Sequence, residues 1–74
     1  MGKMFKLDKS GHGEVAAWGE DAESRAAGDA AFKSLRERGF TMFDVSDPLV
    51  GKPVMEMFDP EASEIVAVPQ LVAG

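Results

Sequence analysis

Cysteine is absent from this 74-residue chain. That excludes disulfides, thiol catalysis and cysteine-based zinc sites, and it fits a reducing compartment. Basic residues are few: eight against thirteen acidic ones, a net charge of −5. Nonspecific nucleic-acid binding depends on neutralising phosphates and is disfavoured by that balance, whereas a basic protein surface would be attracted. Long apolar runs are missing too. No stretch approaches membrane-spanning length, and the N-terminal residues lack a signal-peptide hydrophobic segment, so a cytoplasmic protein without membrane contact is the expectation. The length fits one domain, residues 1–74, with 69–74 as a C-terminal tail. A domain this small has a thin margin, because ordering each residue costs roughly 1.5 kcal/mol that burial must offset.

The segment "MFKLD" alternates and reads as a strand with Phe5 and Leu7 on one face. "KSGHG" is a turn, and "EVAAW" reads as a second strand with Val15 and Ala17 on one side and Ala16 and Trp18 on the other. Together they predict a hairpin. The next segment, "EDAESRAAGDAAFKSLRERG", is the clearest helix. Glu20, Asp21 and Glu23 stand at its start and Lys33, Arg36 and Arg38 near its end, as the macrodipole favours. Gly39 is the expected stop just past the last turn. Gly28, Phe32 and Leu35 share a stripe with Ala27 and Ala31, so the predicted buried face is mostly small. Gly28 costs about 1 kcal/mol relative to alanine in mid-helix, and close packing is the reason to carry it there. "FTMFDV" predicts a third strand, "SDPLVGKP" a loop, "VMEMF" a fourth strand, "DPEAS" a turn, and "EIVAV" a last strand ended by Pro69.

The order strand, strand, helix, strand, strand, strand predicts an α+β domain. Its mixed sheet has four to five strands, with one helix packed across one face. A β-grasp arrangement suits that order. A ferredoxin-like plan needs a second helix, and "DPEAS" is too short to supply it.

Nothing in the chain assembles an enzyme or cofactor site. His12 is the only histidine; it lies between Gly11 and Gly13 with no second ligand beside it in sequence, and reads as a turn residue. The phosphate-cradling glycine spacing is absent, and acidic residues crowd the helix start. Ser10, Ser24, Ser34, Ser46 and Ser63 lack a nucleophile-elbow context. Asp44, Asp47, Glu56, Asp59, Glu61 and Glu64 lack calcium-loop spacing and read as a solvated acidic face able to dock a basic partner.

The segment "EIVAVPQLVAG" resembles the ending of ubiquitin-like sulfur carriers, such as the small subunit of molybdopterin synthase. In those, an acidic residue precedes a short apolar strand, a proline, and small residues closing on glycine. Here Glu64 opens the strand, Pro69 follows it, and Val72, Ala73 and Gly74 form the close; Ala73 stands where the family has glycine. The resemblance implies a β-grasp fold and a tail presented to an ATP-dependent activating enzyme, with Gly74 as the carboxylate to be activated for sulfur transfer or conjugation. A glycine without Cβ lets backbone and carboxylate approach an active site closely.

A further expectation comes from the strands themselves. Phe40 and Met42 alternate with Phe43 and Val45, and Met55 and Met57 with Val54 and Phe58, so both sheet faces carry large apolar groups. One helix covers only one face. The other is expected to present a partner surface drawn from Trp18, Met42, Phe43, Met55 and Met57. Two functional readings follow. One is a ubiquitin-like protein acting through its tail. The other is a non-catalytic interaction or assembly module, for instance a phage or mobile-element accessory protein. Such a module would bind a partner or a second copy of itself through its sheet face or acidic surface.

Overall fold

A computed structural model describes residues 1–8, 11–47, 49, 51 and 53–69. Five strands and one helix succeed one another: β1 (Gly2–Asp8), β2 (Gly11–Trp18), α1 (Ala22–Glu37), β3 (Phe40–Asp44), β4 (Val54–Met55) and β5 (Glu64–Pro69). The strands form one mixed sheet in the order β2-β1-β5-β3-β4. β1 and β2 are an antiparallel pair, β1 and β5 run parallel at the centre, and β3 pairs antiparallel with both β5 and β4. The chain is thus a small α+β domain with one helix on a five-stranded sheet, the coarse architecture that the pattern predicts.

Helix α1 begins where its capping chemistry begins. Asp21 is the N-cap, and its carboxylate accepts from the Ser24 N–H at 2.8 Å and from the Ser24 hydroxyl at 2.7 Å. Ser24 Oγ in turn accepts from the Gly19 N–H at 2.9 Å, so one side-chain pair satisfies donors on both sides of the helix start. The two bonds from Ser24 hold the Asp21 carboxyl below its ordinary value of 3.8. At the far end Gly39 takes φ 92°, the left-handed conformation that stops the helix, and donates to the Arg36 carbonyl at 3.0 Å.

The core lies between α1 and one face of the sheet. Met4, Trp18, Phe32, Leu35, Met42, Ala62, Ile65 and Ala67 are buried there, with Ala16, Ala31, Phe40, Met55 and Phe58 packed around them. The helix contributes Gly28, Phe32 and Leu35, the stripe expected from its spacing. Gly28 admits two aromatic rings: a Cβ at this position would stand 2.9 Å from Phe58 and 3.0 Å from Trp18. The Trp18 and Phe58 rings meet edge to face at 4.8 Å, and the indole N–H donates to the Pro60 carbonyl at 3.0 Å. Gly2 closes the other side of the indole; a Cβ there would fall 2.5 Å from both the Trp18 ring and the Ala62 carbonyl oxygen.

Three expectations about elements change. The hairpin strands are longer than predicted, because β2 begins at Gly11 and takes His12 and Gly13 into the ladder. β4 is shorter and ends at Met55. The alternation expected to continue through Phe58 therefore breaks, and Phe58 turns under the helix instead of staying on the Val54 face.

Candidate functional site

The face of the sheet opposite α1 carries a second apolar layer. Its positions follow from the register. Phe5 pairs with Val66 across β1 and β5, Val66 with Phe43 across β5 and β3, and Phe43 with Val54 across β3 and β4. This row, Phe5–Val66–Phe43–Val54, crosses four strands and continues to Glu14 on β2. Side chains one residue away along each strand point the other way. The neighbouring row Lys6–Ala67–Met42–Met55 accordingly faces the helix.

Leu7 and Val68 extend the open layer, and with His12, Phe43, Val45, Glu64 and Val66 they line a shallow groove of about 360 Å³. The His12 imidazole stacks on the Phe5 ring with centroids 4.7 Å apart and planes 18° from parallel. Val45 donates its N–H to the Glu64 carbonyl at 3.0 Å, which holds the end of β3 against the start of β5. Beside it the Ser46 hydroxyl accepts from the Ser63 N–H at 2.9 Å and the Glu64 N–H at 3.1 Å, fixing the strand that supplies Val66 and Val68. The rim is charged: Lys3 and Glu14 form an ion pair at 3.8 Å, and Glu64 lies next to Val66 on the groove. No described residue covers this layer. Phe5, Phe43, Val45, Val66 and Val68 are each half-buried, and Leu7 and Val54 are exposed.

The structure divides the residues expected on this surface. Phe43 is on it. Trp18, Met42 and Met55 are not: Trp18 and Met42 are 2% and 1% exposed beneath α1, and Met55 packs against the same core. The physical reason is the two-residue period, since the face that receives the helix takes Met42 and Met55 together as a cross-strand pair. Trp18 joins them because Gly2 and Gly28 leave room for an indole on the helix side. Met57 is 81% exposed but lies outside the sheet. It lines a different groove between α1 and the segment 56–60, where Arg36 donates to the Glu56 carbonyl. Phe5, Leu7, Val66 and Val68 belong to the open layer and were not expected there; the alternation of Phe5 with Leu7 and of Val66 with Val68 is the signal that identifies them. Val72, Ala73 and Gly74 lie outside the described residues.

Among the described residues no group of three or more histidine, aspartate or glutamate side chains is arranged to hold a metal ion. What the open face offers chemically is apolar area bounded by charge. No family model matches the chain, and no curated protein or solved structure does either.

Proposed function

We propose that this chain is a β-grasp domain that works by binding another protein, and that the face bearing Phe5, Phe43, Val66 and Val68 is its docking surface. The β-grasp reading is supported by the central parallel pair β1 and β5, the flanking antiparallel strands and the single helix across one face. The observation that carries the binding reading is the Phe5–Val66–Phe43–Val54 row. An apolar row across four strands, on a face that no described element covers, matches the composition of protein-contact surfaces. With a net charge of −5 and Glu14 and Glu64 at the rim, the partner expected is basic around an apolar centre.

The test begins by placing a photo-crosslinking residue at position 43 in the native cell and identifying the protein captured. That protein is then purified and its affinity measured directly. Phe43→Asp should weaken binding by more than tenfold, because a desolvated carboxylate replaces an apolar contact. Glu37→Ala, on the exposed flank of α1, should leave binding unchanged. Equal effects from both variants would refute the docking face.

A second reading is favoured by the likeness of the segment 64–74 to sulfur carriers together with the strand order. The strand that begins that segment, β5, is the central one, between β1 and β3. Under this reading Gly74 presents a free carboxylate that attacks the α-phosphate of ATP on an activating enzyme, forming an acyl adenylate and releasing pyrophosphate. Intact mass spectrometry after incubation with ATP and a candidate enzyme reads the adenylate, thiocarboxylate or conjugate. Deletion of Gly74 should abolish it. A product that persists without Gly74, or none from any activating enzyme of the source organism, counts against the carrier and leaves the docking surface standing.

A further inference from the structure

The sheet has unequal edges. β4 is two residues long, whereas β2 runs for eight, and no described strand lies beyond it. Natural proteins blunt a long edge with lysine, proline or an inward charge, or twist it with a bulge. Here the register shift opposite Met4 and Phe5 sets a bulge near Val15, but the stretch Gly11–Glu14 ahead of it is regular and carries neither proline nor lysine.

The direction of its backbone groups follows from one bond. Lys3 donates its N–H to the Ser63 carbonyl at 3.1 Å, on the β5 side of β1. Alternation then turns Phe5 and Leu7 toward β5 as well, so their β2 partners Glu14 and His12 form the non-hydrogen-bonded pairs of the hairpin. The N–H and C=O groups of His12 and Glu14 therefore point outward from the sheet. Between them stands Gly13, an extended glycine whose missing Cβ nothing in the fold explains: no heavy atom comes within 4 Å of the place a Cβ would occupy. A glycine inside a strand without an internal contact commonly marks the close approach of another backbone.

We infer that β2 pairs with β2 of a second copy of this chain, antiparallel, with the two-fold axis passing at Gly13. Three registers align the outward groups. A dyad at Glu14 opposes two glutamates, and a dyad at His12 opposes two histidines. The dyad at Gly13 sets His12 against Glu14 twice, exchanging main-chain hydrogen bonds between them and placing unlike side chains opposite each other. Charge permits this approach where the rest of the surface resists it. β2 holds only one of the thirteen acidic residues, Glu14, and Lys3 pairs with it at 3.8 Å. The axis stands perpendicular to the sheet, so both helices fall on one side. The two open layers join on the other, with each His12–Phe5 stack beside the seam.

Sedimentation velocity on the full chain from about 10 µM to about 1 mM reads the association, a range that covers weak, short-strand pairing. A concentration-dependent monomer–dimer equilibrium is expected. His12→Glu should weaken it by about tenfold or more, because it sets a second carboxylate against Glu14 in both pairs across the axis. Mixing that variant with Glu14→Lys should restore a heterodimer of at least the parent's affinity, since one cross-strand pair is then a glutamate against a lysine and the other is the parental His12–Glu14 pair. The recovery also shows that both variants fold. A parent chain that stays monomeric at about 1 mM, a His12→Glu variant that dimerises as well as the parent, or a mixture no tighter than its components would each overturn the pairing.

Discussion

Gly2→Ala is the sharpest perturbation this fold offers, because one methyl group meets two rigid neighbours. The added Cβ would stand 2.5 Å from the Ala62 carbonyl oxygen and 2.5 Å from two carbons of the Trp18 indole. Neither neighbour yields easily. The carbonyl is main chain, and the indole is 2% exposed, held by its bond to Pro60 and by Phe58. Overpacking of a filled core costs about 1–3 kcal/mol, whereas the entropy gained from removing a glycine is about 0.4–1 kcal/mol. A net loss of about 1–2 kcal/mol is therefore expected, or roughly 4–16 °C in Tm for a domain of this size. Urea titration and thermal circular dichroism at low micromolar concentration measure it. Gly13→Ala is the matched control: it is also a strand glycine, but with nothing within 4 Å, and should hold or slightly raise Tm. Combining Gly2→Ala with Trp18→Phe should cost less than the sum of the two, because the smaller ring relieves the clash. A Gly2→Ala protein as stable as the parent would refute the packing of the β1 start against the indole.

Other expectations follow from the same contacts. Phe32→Ala removes the largest fully buried side chain among the described residues and should cost about 3–5 kcal/mol in urea titration. Ser46→Ala leaves the Ser63 and Glu64 N–H groups to water and should cost about 0.5–1.5 kcal/mol in urea titration. The depressed Asp21 carboxyl contributes stability above its ordinary value of 3.8, and that contribution is lost as pH falls through the lower folded value. Asp21→Asn should therefore flatten the fall in Tm between about pH 5 and pH 2; an unchanged acid profile would contradict the cap.

The helix was legible because its signals agree: acidic residues at the start, basic residues and Gly39 at the end, and a stripe of Gly28, Phe32 and Leu35 between. The strands were legible as elements and less so as faces. Phe40 and Met42 oppose Phe43 and Val45 in any register, but sequence alone does not say which pair receives the helix, and a slip of one residue exchanges them. Trp18 illustrates the missing information. Its burial depends on two glycines far apart in sequence, Gly2 and Gly28, that meet only after the helix crosses the sheet. Met57 and Phe58 were misplaced for a local reason: β4 ends at Met55, and the alternation that would have ordered them ends with it. Little of the open layer was legible: of the five residues expected on it only Phe43 lies there, and the alternations Phe5/Leu7 and Val66/Val68 group their members on one face without saying that this face stays open until β1 pairs with β5.

Because the chain contains no cysteine, the exposure of each sheet face can be read by single-cysteine labelling. The most direct test of the account compares native-state thiol reaction rates of Phe43→Cys and Val66→Cys with those of Met42→Cys and Ile65→Cys, each normalised to its rate in urea. Alternating reactivity is predicted, with positions 43 and 66 labelled near the unfolded rate and positions 42 and 65 protected by at least a hundredfold. Protection at all four positions, or reactivity at 42 and 65 instead, would contradict a helix on one face and an open layer on the other.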